Sequence, residues 1–292
     1  TCWEHGVSRR FPRHRRRYPL GVSSSPQTPA TAYPPVSVIM PILNEEHHLR
    51  EAVGSVLAQD YPGGLEVVVA VGPCRDRTHE VADALAAEDP RVVVVDNPGG
   101  RTPDGLNAAI AASTHQVVVR MDGHGALSEG YIRRAVEVLE ETGAANVGGV
   151  MLAEGTGDLQ QAVAVAMRAP LGIGAARFHV GGDAGPVDTV YLGVFRREWL
   201  ERVGGYDSGF ARAQDWEMNH RIREAGGTIW FTPELTVTYR PRASLADLAR
   251  QFYTTGQWRR QVVRAHPGTL NLRYLAPPVA TAAVAAGAVG GL

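Results

Sequence analysis

The run Val117-Val-Val-Arg-Met-Asp122-Gly-His124 is an apolar stretch that ends in a carboxylate, with an imidazole two positions on. Residues two apart in an extended chain face the same way, so Asp122 and His124 are expected to bind one ion. Carboxylate suits Mg²⁺ or Mn²⁺, and the imidazole tilts the choice towards Mn²⁺. A cation there would neutralise a diphosphate, which points to chemistry on a nucleotide-activated substrate. A second acidic pair stands in Arg212-Ala-Gln-Asp215-Trp-Glu217-Met-Asn-His-Arg221. Helical residues two apart diverge by about 200°, so these two acids cannot both face one substrate. Asp215, nearer the helix start, is expected to enter the site, and Glu217 to pair with Arg221 one turn on. In Gln257-Trp258-Arg259-Arg260, an indole and a guanidinium together can cradle a sugar and a phosphate.

These residues need elements to hold them. Apolar runs at 36–40, 65–71, 92–95 and 116–121 read as strands, separated by segments of helical period. Asn44 is expected to cap a first helix, with Glu45 and Glu46 in its first turn. Further helices are expected from Thr78, from Thr102-Pro103, and from a Ser128 cap to Gly143. Strands alternating with helices of this length imply a mainly parallel sheet with helices on both faces. Ligands then lie beyond the carboxyl ends of the strands, here 41–45, 71–76 and 122–124. The second half carries a Gly-rich loop at 172–185 and an expected strand at 187–195. A helix over 213–225 and strands at 228–231 and 235–239 follow. Ser244 then caps a helix running to about Ala265.

The chain has 292 residues, 44% hydrophobic and 20% charged, enough for one large or two small domains. Its net charge of −1 disfavours a general nucleic-acid-binding role. All 29 basic residues are Arg. Six of them fall in segment 1–35, which is rich in Pro, Ser and Thr and is expected to be a disordered basic tail. Its Arg cluster would touch anionic lipid, unless the segment is only an upstream extension. Cys2 and Cys74 make neither a disulfide framework nor a zinc pattern, which suits a reducing compartment. Both ends are expected to be cut. Segment 275–292 carries no charge and reads either as the start of a membrane segment or as an Ala-rich tail.

Six ordered blocks match a known pattern. They are Val36-Ser-Val-Ile-Met-Pro41-Ile-Leu-Asn44-Glu45-Glu46, Asp104-Gly-Leu-Asn107, Val119-Arg-Met-Asp122-Gly-His124, Val187-Asp188-Thr-Val-Tyr-Leu-Gly193-Val-Phe-Arg196-Arg197, Gln214-Asp215-Trp-Glu217 and Gly256-Gln257-Trp258-Arg259. Over residues 36–278 the chain resembles inverting family 2 glycosyltransferases of GT-A fold. The likeness is strongest to membrane-associated enzymes of bacterial exopolysaccharide assembly, of the succinoglycan type. The resemblance implies a glycosyltransferase domain over 36–270, with a nucleotide-binding half (36–125) and an acceptor half (126–270). Beyond it lies a possible membrane segment at 271–292.

It also implies roles. Pro41, Asn44, Glu45, Asp76, Asn107 and Asp122 would bind the donor, and Asp122 and His124 the divalent metal. Asp215 would be the catalytic base. Asp188, Gly193, Glu217, Gln257, Trp258 and Arg259 would line the acceptor and diphosphate. The donor would be a nucleotide sugar, UDP-linked by default, and the acceptor a lipid-linked species or a polysaccharide. The place of work would be the cytoplasmic face of the plasma membrane. One departure stands out: Val71 falls where relatives carry an acid, so base recognition is expected to differ. A non-catalytic module that binds a nucleotide sugar or polysaccharide is the alternative, which loss of Asp122 or Asp215 would have favoured. A nucleotidyltransferase would open with a basic, Gly-rich loop, where this chain has Pro41-Ile-Leu-Asn-Glu-Glu.

Overall fold

The computed structural model describes residues 33–169 and 176–269, together with residues 279, 282, 286 and 287. The basic segment 1–35 and the apolar segment 271–292 lie almost wholly outside the described residues. Strands β1 (Val36–Ile42), β2 (Leu65–Val71), β3 (Val92–Asp96) and β4 (Val117–Arg120) alternate with helices α1 (Leu49–Leu57), α2 (Thr78–Glu88) and α3 (Thr102–Ala112). The four strands are parallel, in the order β3-β2-β1-β4. Valine dominates because central strands of a parallel sheet are buried on both faces. Val67, Val69, Val117 and Val119 pack in one layer with Leu49 and Val53 of α1. Val68, Ala70 and Val118 pack in the other with Leu106 and Ala109 of α3. Full burial of each such valine contributes about 1.5–3 kcal/mol.

Downstream come β5 (Ala126–Leu127), α4 (Tyr131–Thr142), β6 (Asn146–Ala153), α5 (Asp158–Arg168), α6 (Arg177–Val180), β7 (Gly185–Val187) and β8 (Val194–Arg196). Then follow α7 (Arg197–Arg202), α8 (Gln214–Glu224), β9 (Ile229–Tyr239) and α9 (Leu245–Ala265). The sheet continues past β4 through β8, β6 and β9 to β5, and β7 also pairs with β9. In this half β4–β8, β8–β6, β5–β9 and β7–β9 are antiparallel, and β6–β9 is parallel. The sheet is thus parallel in its first half and mixed in its second. The two halves expected from the sequence share this one sheet.

Several local expectations are corrected. The strand expected over 187–195 is two short ones, because the chain leaves the sheet after β7, beside β9, and re-enters as β8, beside β6, passing through positive φ at Leu192 (57°) and Gly193 (125°). The strands expected at 228–231 and 235–239 are one, β9, with a register break opposite Gly148–Val150. There Gly149 lets the Leu235 carbonyl approach closer than any Cβ would allow. The first helix begins at Leu49 after His48, not at Asn44, which takes a left-handed conformation (φ 57°). Helix α4 begins after Gly130 rather than Ser128, and ends at Gly143 (φ 64°) as expected. Helix α9 begins as expected, with Ser244 Oγ accepting from the Asp247 N–H. Among the described residues no helix is long and apolar enough to cross a membrane.

Glu66 ties the strand starts together. It accepts from Ser37 Oγ on β1 and from the Thr114 N–H ahead of β4, each at 2.6 Å, and from the Thr114 hydroxyl at 3.1 Å. Burial pushes its carboxyl up, but these hydrogen bonds together outweigh burial and hold it below the usual glutamate range. A carboxylate depressed in the folded state contributes stability above its unfolded pKa and loses it as pH falls through the folded one. Glu66→Gln is therefore expected to be less stable than wild type at pH 7, by roughly 1 kcal/mol after solvent screening. That gap should shrink as pH drops below about 4.3. Urea melts at neutral and acid pH check this, and a gap unchanged by pH would contradict it.

Candidate active site

The loops after β1 and β2 are knitted together by the acids and amides between 44 and 78. Asn44 Oδ1 accepts from the Arg75 N–H at 2.8 Å, and the Glu45 N–H donates to Thr78 Oγ1 at 2.8 Å. Asp76 accepts from the Thr78 hydroxyl at 2.5 Å, the Thr78 N–H at 3.1 Å and the Glu46 N–H at 3.2 Å. These bonds, led by the Thr78 hydroxyl, hold its carboxyl below the usual range. Asn44 Oδ1 and both carboxylate oxygens of Asp76, residues expected to bind the donor, thus shape the two loops. Pro41 lies half-buried beside Gly105 of α3. Val71 is buried in the core, so the position where the resemblance implied an acid offers no polar group.

Asp122 and His124 are brought together by a turn rather than by an extended chain: β4 ends at Arg120, and the Gly125 N–H donates to the Asp122 carbonyl at 3.1 Å. Gly123 sits at the tip because a Cβ there would meet Ile42 Cδ1 at 2.5 Å and Glu45 Cγ at 3.2 Å. His124 Nδ1 donates to Glu45 Oε1 at 2.7 Å. That bond, helped by Asp122 and opposed by burial, raises the imidazole pKa. It also fixes the tautomer and leaves Nε2 as the ring nitrogen for a ligand, the usual arrangement of a metal-binding histidine. Among the described residues no group of three or more His, Cys, Asp or Glu side chains could hold a metal. One carboxylate and one imidazole nevertheless fit a Mn²⁺ or Mg²⁺ ion whose other ligands are substrate phosphates and water.

Asp215 stands in the first turn of α8, where the helix dipole favours an anion. Asp215 and Asp122 meet at one cation. Arg120 donates through NH2 to Asp122 Oδ1 at 3.1 Å, and its NH1 pairs with Asp215 Oδ1. The Tyr191 hydroxyl stands 3.5 Å from Asp122 Oδ2. A cavity of about 220 Å³ opens beside these groups, lined by Asp215, Tyr191, Phe178, Trp216, Trp258 and Arg259. Arg259 also lies over the Trp216 ring, 5.6 Å from its centroid. Gln257 is exposed and is not among the residues that line the cavity, unlike its neighbours Trp258 and Arg259.

Other expected site residues serve the scaffold. Glu217 is buried and paired with Arg221 at 2.6 and 2.7 Å, the i+4 pair expected from the sequence. Arg221 in turn binds the carbonyls of Val203 and Gly205. The Asn107 amide clamps the Tyr206 backbone, with both bonds at 2.8 Å. Gly193 accepts from the Arg120 N–H at 2.9 Å, and a Cβ there would strike Asn146. Asp188 stands half-buried just after β7. Helix α8 is held by a buried chain in which Asn146 donates to Asn219 at 2.8 Å and Asn219 to Thr189 at 2.9 Å. Sequence reasoning passed over Arg120, Tyr191 and Trp216. Arg120 had a visible signal, a lone charge in an otherwise apolar strand, which burial tolerates only when paired.

Comparison with known proteins gives the family and the fold. The model of glycosyl transferase family 2 matches residues 37–204. The succinoglycan biosynthesis protein ExoA of Rhizobium meliloti (strain 1021) is 33% identical over 254 residues, covering 86% of this chain and 77% of that protein. Among solved structures, the mannosyltransferase PcManGT from Pyrobaculum calidifontis, in complex with GDP-Man and Mn²⁺, superimposes with a TM-score of 0.64 at 23% identity. That match covers 90% of this chain and 77% of the mannosyltransferase. A fragment of S. aureus TarS in complex with UDP-GlcNAc matches with a TM-score of 0.56 at 17% identity, over 71% of this chain and 59% of that fragment. This chain spans only 37% of a longer TarS structure. The expected GT-A fold therefore holds, and with more than half its length matched by the family model, the chain belongs to glycosyl transferase family 2.

Proposed function

We propose that the chain is a metal-dependent, inverting glycosyltransferase that moves a sugar from a nucleotide-diphosphate donor, UDP-linked by default, to an acceptor hydroxyl. The observation that carries this reading is the meeting of Asp122 and Asp215 at Arg120, beside an aromatic cavity. Asp215 takes the proton from the acceptor hydroxyl as that oxygen attacks the anomeric carbon. The bond from that carbon to the diphosphate breaks on the opposite face, and the nucleoside diphosphate leaves. One carboxylate suffices because no covalent sugar–enzyme intermediate forms. The divalent ion, held by Asp122 and His124, would supply charge neutralisation for the leaving diphosphate. Trp258 and Phe178 offer apolar faces to a sugar ring, and Arg259 a fixed cation.

The acceptor is a lipid-linked species at the cytoplasmic face of the plasma membrane, in exopolysaccharide assembly. Three observations support this. The cavity is closed partly by α9, which exposes Leu245, Phe252 and Tyr253 beside Arg250. Segment 275–292 is uncharged. The relative that shares 33% identity is named for succinoglycan biosynthesis. The test is a panel of UDP-, GDP- and dTDP-linked sugars incubated with Mn²⁺ or Mg²⁺, with free nucleoside diphosphate measured. Slow, metal-dependent release from one donor is expected. Silence across the panel, with no nucleotide binding by calorimetry, would overturn the reading.

A further inference from the structure

Arg120 is the one basic residue in the run 117–121, on a strand whose other side chains are core. Side chains alternate along β4, so Arg120 shares the face of Val118, which packs in the layer of α3 and α8. Only 3% of its side chain is exposed. Its guanidinium donates to Asp122 and pairs with Asp215, one acid from the end of β4 and the other from the start of α8. The Tyr191 hydroxyl stands 3.5 Å from the other oxygen of Asp122. The strand position of Arg120 is fixed in turn, since its N–H donates to the Gly193 carbonyl at 2.9 Å. A planar fork can hold two carboxylates at set angles, and the compact ammonium of lysine cannot. Without a cation between them, two carboxylates brought this close would repel and move apart.

We infer that Arg120 is a positioning residue for the transfer reaction. It holds the carboxylate of Asp215 in line for the acceptor hydroxyl, and it fixes that base relative to the donor-side acid Asp122. The inference rests on Asp215 being the base. It predicts a particular kinetic pattern, because a base displaced by about 1 Å loses on the order of 10²-fold in rate without weakening donor binding. Arg120→Lys keeps the buried positive charge and loses the fork. Its kcat is expected to fall about 10- to 100-fold, with donor KM within about threefold of wild type. Thermal melts of the variant show whether its fold is kept. Should Arg120→Lys not fold, Arg120→Gln serves, with guanidinium ion added well below denaturing concentration. Recovery of at least about tenfold in kcat is then expected, because the free ion re-enters the vacated position. A kcat near wild type in Arg120→Lys, or no recovery by guanidinium in Arg120→Gln, overturns this inference. If Asp215→Asn is inactive in the same assays, the proposed function survives that failure with Asp215 as its base; if Asp215→Asn also transfers at the wild-type rate, the base assignment falls together with this inference, while the transfer itself upholds the transferase.

Discussion

Asp215→Asn is expected to lower transfer by about 10²–10⁴-fold while leaving nucleotide binding largely intact. The amide keeps the size and planarity of the carboxylate but cannot accept the acceptor's proton. Asp215 lies in the first turn of α8 and faces the cavity, and it is not part of the Asn146–Asn219–Thr189 chain that anchors the helix. The fold should therefore tolerate the change, at a cost of about 0.3–1 kcal/mol from the helix dipole and more from the weakened Arg120 pair. Transfer to an acceptor and donor titration by calorimetry, measured on the same preparation, separate chemistry from binding. Transfer near the wild-type rate would remove Asp215 from the role of base.

Asp122→Ala should act on the other half of the site. Without this carboxylate, the divalent ion loses a ligand and nucleotide binding loses its dependence on Mn²⁺. A fall in kcat/KM of about 10²–10³-fold is expected, in keeping with the several kcal/mol that such an ion supplies. The pair of Arg120 with Asp215 remains in this variant, so a loss confined to metal-dependent binding would separate donor-side from acceptor-side function. Equal nucleotide affinity with and without Mn²⁺ in wild type, or an unchanged Mn²⁺ titration in the variant, would argue against Asp122 as a metal ligand.

The first half of the fold was legible because parallel, doubly buried strands leave an unbroken mark. The apolar runs at 36–40, 67–71 and 117–119 are such marks, and the helices between the strands carry clear periods. The second half was less so. Strand β6 contains Gly148 and Gly149, placed there by the close approach of Val190 and Leu235, and these break the apolar pattern that identifies a strand. The expected strand at 187–195 failed for a related reason. Its residues are apolar enough for a strand, but the chain crosses from beside β9 to beside β6 there, with positive φ at Leu192 and Gly193.

Sequence alone determined the fold class, and it placed Asp122 at the end of a strand and Asp215 in the first turn of a helix, because hydrophobic period and residue spacing constrain these directly. The i+4 pairing of Glu217 with Arg221 was likewise local, set by helix geometry within one turn. Only the tertiary structure decided what each polar side chain spends its hydrogen bonds on. Asn44 and Asp76 bind loop backbone, Asn107 clamps Tyr206, and Arg120 lies between acids that are 93 residues apart in the chain. Spacing along the sequence carries no record of such partners. A buried polar group takes whichever complement the packing of distant segments brings within about 3 Å.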